Sequence, residues 1–186
     1  MTYVTLQDTN IDSQRLEDDI LEVLMDNNLQ SNPQVSITSI TGNDDWFCSV
    51  GKIHNLKNPE RYFSTLNKSF TGTYVQELLE QYPEYYRWRI MRLEPRHTYT
   101  IHQDSVGGQK NLRLHIPVVT NPGAYLCFFN EMPSTGKDLN VRYEHLETGK
   151  SYVVNTTGLH TAVNYGTQAR YHIVGVRYED SNYRSQ

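Results

Sequence analysis

The chain has 186 residues, 37% of them hydrophobic and 20% charged, with a formal net charge of -4. That length suits one ordinary domain with a real core, and the composition excludes wholesale disorder. The acidic balance and the lack of any basic run exclude a nucleic-acid partner, no apolar run reaches the length of a membrane span, and the two cysteines, Cys48 and Cys127, cannot form a disulfide framework or a zinc ribbon. The N-terminus MTYVTLQDTN has no basic n-region or apolar h-region, so a cytoplasmic protein is expected.

Asp12 or Ser13 reads as the N-cap of a first helix, RLEDDILEVLMDNN. Its Leu16, Ile20, Val23 and Leu24 recur at helical spacing, with acids in the early turns, and Asn32-Pro33 ends the pattern. A second helical stretch is predicted over Glu60 to Leu66, after Pro59, and a third over Thr73 to about Tyr82, before Pro83. From Tyr86 onward the texture changes to short segments rich in Tyr, Val, Ile and Thr: YRWRIMRL, TYTIH, NLRLHIPVV, AYLCFF, VRYEHL, SYVVN, HTAVN and RYHIVGVRY. Gly107-Gly108, Asn121-Pro122-Gly123, Thr148-Gly149 and Gly166 supply the turns between them. The expected architecture is one domain over 1–186. A helical or mixed support over 1–85 packs on a β core over 86–178, which is a jelly roll of cupin-like, double-stranded β-helix type. The loop from Asn130 to Asn140 is the longest irregular piece and, with the helical third, is expected to decide substrate choice.

In a strand, residues two apart share a face. Thr98, Thr100, His102 and Asp104 therefore share one if extension continues through them, Arg113 and His115 lie opposite Leu112, Leu114 and Ile116, and Arg170 and His172 lie opposite Tyr171 and Ile173. Titratable pairs on three strands are costly unless they line a wet pocket or hold an ion. His102-Gln103-Asp104 is an H-x-D, which with one further imidazole makes the two-histidine, one-carboxylate face of a non-haem Fe(II) site with open positions. His160 is the candidate second imidazole. Arg170 follows ten residues later, with Tyr165-Gly166 between, so a hairpin of HTAVN and RYHIV is expected to set Arg170 beside the site. Its planar fork matches a carboxylate such as the distal end of 2-oxoglutarate. His54 and His145 have no partner pattern and read as structural or surface residues. Asn155 and Asn164 read as turn and hydrogen-bond residues.

Taken in order, His102, then Arg113, His115 and Pro117, then Gly149, Tyr152 and Asn155, then His160, Asn164 and Gly166, then Arg170, resemble the motif series of the aspartyl/asparaginyl β-hydroxylase family. The resemblance covers roughly Trp88 to Val176, and the retained H-x-D is similar to the branch that includes bacterial free-proline hydroxylases, whereas the namesake members have glycine in place of Asp104. It implies a double-stranded β-helix fold, Fe(II), 2-oxoglutarate and dioxygen, and hydroxylation of an amino-acid side chain, free or in a peptide. It also implies that Arg170 binds the distal carboxylate with Arg113 and His115 nearby as further co-substrate contacts. The competing readings are another metal-dependent cupin enzyme and a non-catalytic jelly-roll binding module.

Overall fold

The computed structural model describes residues 3–51, 59–106, 109–131 and 140–178. The chain is mostly β, with strands numbered here in chain order. One large antiparallel sheet runs β1 (Val4–Asp8), β11 (Ser151–Asn155), β8 (Gln109–Val119), β13 (Arg170–Tyr178), β5 (Tyr86–Leu93) and β2 (Gln34–Ser36), with β7 (Ser105–Val106) paired to β8. A smaller sheet runs β10 (Val141–Glu144), β9 (Ala124–Phe129), β12 (Leu159–Asn164) and β6 (His97–Thr98). A two-stranded ribbon joins β3 (Thr38–Ser39) to β4 (Thr65–Leu66). From β5 to β13 the chain passes back and forth between the two main sheets, and every ladder among the described residues is antiparallel.

Side-chain alternation sorts the large sheet into two faces. Trp88, Ile90, Leu114, Ile116 and Ile173 point outward into a core with α1 (Ser13–Asp26) and α2 (Tyr74–Leu79), where Leu16, Ile20, Val23 and Leu24 meet them. Each such Leu or Ile removed from water contributes about 2 kcal/mol. The inward face packs on the small sheet in a second core, with Leu93, Tyr152 and Val154 against Leu126, Phe128 and Ala162. Gly175 lies on the outer face of β13, and a Cβ there would sit 2.7 Å from ring atoms of the buried Trp88. Gly175→Ala is expected to cost about 1–3 kcal/mol by overpacking and to lower Tm by several degrees. Thermal denaturation checks this, and a wild-type Tm would show that the ring has room to move.

The N-terminal third differs from the sequence expectation in three ways. Two of its strands, β1 and β2, form the edges of the large sheet where no strand was expected, so of the helical or mixed alternatives the region is mixed. The predicted helix over Glu60 to Leu66 is a 3-10 turn over Pro59–Tyr62 followed by β4. The carbonyl of Phe63 accepts from the Thr38 hydroxyl at 2.8 Å and from the Arg87 amide at 2.8 Å, which takes it out of any helical ladder. The third helix is only α2, Tyr74–Leu79, whose first amides donate to Asp19 Oδ2 of α1 at 2.6 and 3.4 Å. Asp12 caps α1, accepting from the Arg15 amide at 3.1 Å, while the first turn of α1 holds no acid. Gly107-Gly108, His54, residues 132–139 of the substrate-choice loop and the tail after Tyr178 lie outside the described residues.

Candidate metal centre and its cationic wall

His102, Asp104 and His160 place one donor atom each within 4.8 Å of one another. Of the predicted strand TYTIH only Thr98 lies in a strand, β6. Beyond it the chain returns as an isolated antiparallel bridge in which the His102 and His160 amides donate to each other's carbonyls at 3.0 and 2.9 Å. Two residues on, the Asp104 amide donates to the Thr156 carbonyl at 3.0 Å and anchors the carboxylate on the same side. The imidazole tautomers follow from their partners. His102 Nδ1 lies 2.7 Å from the Thr100 carbonyl and His160 Nδ1 lies 2.9 Å from the Gly158 carbonyl. A carbonyl only accepts, so each Nδ1 carries the proton and each Nε2 presents a bare lone pair. Those Nε2 atoms face Asp104, at 3.8 Å from Oδ1 and 3.9 Å from Oδ2.

Burial opposes the charge on Asp104, but the Arg113 guanidinium, His160 and His102 more than offset it and hold the carboxyl at about 2. Arg113 Nε donates to Asp104 Oδ2 at 3.0 Å, so this arginine orients the carboxylate. Burial pulls His160 below the usual imidazole range, which keeps it neutral at neutral pH.

Opposite the cluster, the inward face of the large sheet is lined with polar groups. Arg170 and His172 on β13 are each 2% exposed, and Arg113 and His115 on β8 are buried beside them. Register sets Val174 between Arg89 of β5 and His115 of β8, and pairs His115 with Tyr152 of β11. His115 and His172 approach Nδ1 to Nδ1 at 3.4 Å, and burial, then the Arg170 charge, drives both well below the usual imidazole range. Arg170 Nε, Arg113 Nη1, Arg89 Nε and His172 Nε2 are buried with no hydrogen-bond partner among the described residues. The three guanidinium N–H groups are orphaned buried donors, which are rare in folded proteins and point to a ligand that accepts from them.

Arg170 reaches this wall by a route other than the expected hairpin. β12 belongs to the small sheet and β13 to the large one, so residues 165–169 cross between sheets. The buried Asn164 ties that crossing. Its Nδ2 donates to the Leu93 carbonyl at 3.1 Å and the Gln168 carbonyl at 2.8 Å, and its Oδ1 accepts from the Gly166 amide at 3.1 Å. A Cβ on Gly166 would lie 2.0 Å from Asn121 Oδ1. Asn155 Oδ1 accepts from Thr157 at 3.1 and 2.6 Å, and His145 Nδ1 meets the Ala124 carbonyl at 2.8 Å, so both have local structural partners.

A profile described as aspartyl/asparaginyl beta-hydroxylase matches residues 12–176. The chain belongs to that family. Its members are enzymes of the 2-oxoglutarate-dependent oxygenase class, which uses Fe(II), 2-oxoglutarate and dioxygen. No curated protein sequence matches it. Among solved structures it is similar to HygX from Streptomyces hygroscopicus with nickel and 2-oxoglutarate bound, at TM-score 0.56 and 8% identity over 97% of this chain and 84% of that one. It is similar to a Pseudomonas putida prolyl-4-hydroxylase at TM-score 0.52 and 11% identity, covering 96% and 95%. It also resembles AviO1 from Streptomyces viridochromogenes Tue57, at TM-score 0.53 and 13% identity, covering 98% and 92%. At these identities the likeness is one of fold.

The donor set of this hydroxylase-family chain fits the cofactors of its class. Two neutral imidazoles and one carboxylate suit an Fe(II) that must keep positions open. The unpartnered guanidinium N–H of Arg170 suits a carboxylate. The strand Arg87-Trp88-Arg89-Ile90 carries cations on the inner wall that sequence reasoning missed. Its alternation of charge with bulky apolar side chains is the signal that marked Arg113 and His115, and it was there to be read. Among the described residues no helix is long and apolar enough to cross a membrane.

Proposed function

We propose that this protein is an Fe(II)- and 2-oxoglutarate-dependent hydroxylase of an amino-acid side chain, free or in a peptide. Iron is held by His102, Asp104 and His160. The observation that carries this reading is the cluster of those three donors with both Nε2 lone pairs turned toward the carboxylate. Iron so held supplies the redox chemistry that couples oxidative decarboxylation of 2-oxoglutarate to placement of one oxygen atom on a C–H carbon. Arg170 binds the distal carboxylate of 2-oxoglutarate, and Arg113 and His115 are further contacts. Support comes from the buried, unpartnered Nε of Arg170 and Nη1 of Arg113. Arg113 also orients Asp104, and the carbonyls of Thr100 and Gly158 keep both imidazoles in the ligating tautomer.

The alternation of strands between two sheets supports the double-stranded β-helix reading of residues 86–178, with 1–85 as a support that closes the outer face. Asp104→Gly tests the ligand set, since it recreates the residue of the two-histidine members in a pocket built around a carboxylate. Fe(II) affinity is expected to fall by at least about tenfold, roughly 1.4 kcal/mol, with most succinate formation lost. The substrate is sought by mass spectrometry, as a gain of one oxygen on free amino acids and peptides. Near-wild-type iron affinity and succinate yield in Asp104→Gly would remove Asp104 from the site, and absence of 2-oxoglutarate binding by the wild type would favour another cupin chemistry.

A further inference from the structure

The inner wall carries more positive charge than the proposed reaction uses. Arg87, Arg89, Arg113 and Arg170 are 5%, 6%, 7% and 2% exposed. The carboxylates acting on Arg87 and Arg89 are Glu60 and Asp104, and Asp104 is also the described ion-pair partner of Arg113. A divalent iron and a dianionic 2-oxoglutarate cancel each other, so loading the site leaves that excess of two positive charges in place. Uncompensated cations in a low-dielectric interior cost several kcal/mol unless something anionic joins them.

The four arginines are not equivalent. Arg87 is fully engaged. Its Nε donates to the Ser49 carbonyl at 2.9 Å, its Nη2 to the Gly51 carbonyl, and its Nη1 reaches Glu60 Oε1 at 3.5 Å. Arg113 holds Asp104, and Arg170 is assigned to the co-substrate. Arg89 has one described partner, the neutral Gln34 Oε1 at 3.0 Å from Nη1, and its Nε is buried with none. It stands on the inward face in the row Arg89, Val174, His115, and the phenol of Tyr99 lies within the fields of both Arg89 and Arg170. The backbone is shaped to hold it there. β5 bulges between the pairs Val174–Arg89 and Val176–Tyr86, with Arg87 in the left-handed region at φ 51°. A bulky residue in that region is strained, and bulges beside sites serve to re-aim side chains.

We propose that Arg89 receives a carboxylate carried by the substrate itself, so that the enzyme selects an acid: a free amino acid through its α-carboxylate, or a peptide through an acidic side chain or C-terminus. The inference rests on the oxygenase reading of the site. Arg170 and Arg89 then divide the anions between them, one for the co-substrate and one for the substrate.

The test uses formate, the smallest carboxylate, on protein loaded with Mn(II) and saturating 2-oxoglutarate without oxygen. Formate in place of chloride at equal ionic strength is expected to raise the wild-type Tm saturably, with formamide inert. In Arg89→Met and Arg89→Gln the formate response should vanish while the dissociation constant for 2-oxoglutarate stays within about twofold, since that site is untouched. The Tm of Arg89→Met without formate should hold or rise, because an uncompensated buried charge is gone. A fall would mark Arg89 as a structural tie to Gln34. No formate response in the wild type, or an equal one in both variants, overturns the proposal. Wild-type protein that binds no 2-oxoglutarate overturns the oxygenase reading instead, whatever formate does.

Separate arms distinguish the source of the carboxylate by succinate formed: free L-amino acids, their carboxamides, and C-terminally amidated peptides with or without internal Asp or Glu. Stimulation by carboxamides or acid-free peptides equal to that by the acids also overturns it.

Discussion

His160→Ala is expected to abolish turnover and to weaken Fe(II) binding by at least about a hundredfold, roughly 2.7 kcal/mol, while leaving the fold in place. The main-chain bridge to His102 uses only backbone atoms and survives the truncation. What is lost is one bare Nε2, leaving a single imidazole and a carboxylate to hold the metal. Anaerobic Fe(II) titration, succinate release and circular dichroism check the three parts. Stoichiometric tight iron binding that survives His102→Ala together with His160→Ala would place the ligands elsewhere.

The pH dependence of the wild type follows from the same groups. Asp104, held at about 2, stays ionised through the whole acid range of interest, whereas an imidazole must give up its proton to ligate. Iron affinity should therefore fall toward acid pH through imidazole protonation and not through the carboxylate, with the buried His160 taking its proton below the usual imidazole range. The apo fold weakens in the same direction. Burial depresses His115, His160 and His172, so the unfolded chain takes up protons near its ordinary value of about 6.5 that the folded chain refuses.

Arg170→Met separates binding from stability with opposite signs. In the apo protein Arg170 is a buried cation that burial pulls to about 10, so it remains charged at neutral pH with its Nε unpaired. Replacing it with an apolar side chain of similar length should therefore raise or hold the apo Tm, because a desolvated charge disappears. The same change removes a charge-assisted, fork-shaped contact to the distal carboxylate, and 2-oxoglutarate affinity should fall by about a hundredfold. Arg170→Lys should fall between, keeping the charge without the fork. Calorimetric titration of 2-oxoglutarate into metal-loaded protein measures the loss, and an unchanged dissociation constant would sink the assignment of Arg170.

The main strands after Tyr86 and the position of α1 were legible in the residues because they depend on local periodicity, whereas β1 to β4 were not. The four apolar positions of α1 and the alternation in NLRLHIPVV and RYHIVGVRY respond to a face that is either buried or not, and that pattern is written in the chain. The same alternation put Arg170 with His172, and Arg113 with His115, on one side. Single-strand logic stopped at the strand ends. The short, turn-sized gap between His160 and Arg170 suggested a hairpin, yet Asn164 bonds the Leu93 carbonyl and sends the chain across to the other sheet. The Glu60 to Leu66 stretch looked helical until Thr38, more than twenty residues away in sequence, claimed the Phe63 carbonyl.

By itself, then, the sequence determined which residues could bind iron and which faces carry charge, because donor chemistry and period-two alternation are properties of short segments. Only the tertiary structure decided which donors meet. It also decided that Arg113 lies on Asp104 and that Arg87 is consumed by Ser49 and Glu60. Among the described residues Arg89 is left with an unpaired N–H on the inner wall. Those outcomes depend on long-range strand register and on the bulge in β5, and a hydrogen bond formed across the fold leaves no periodic trace in the chain.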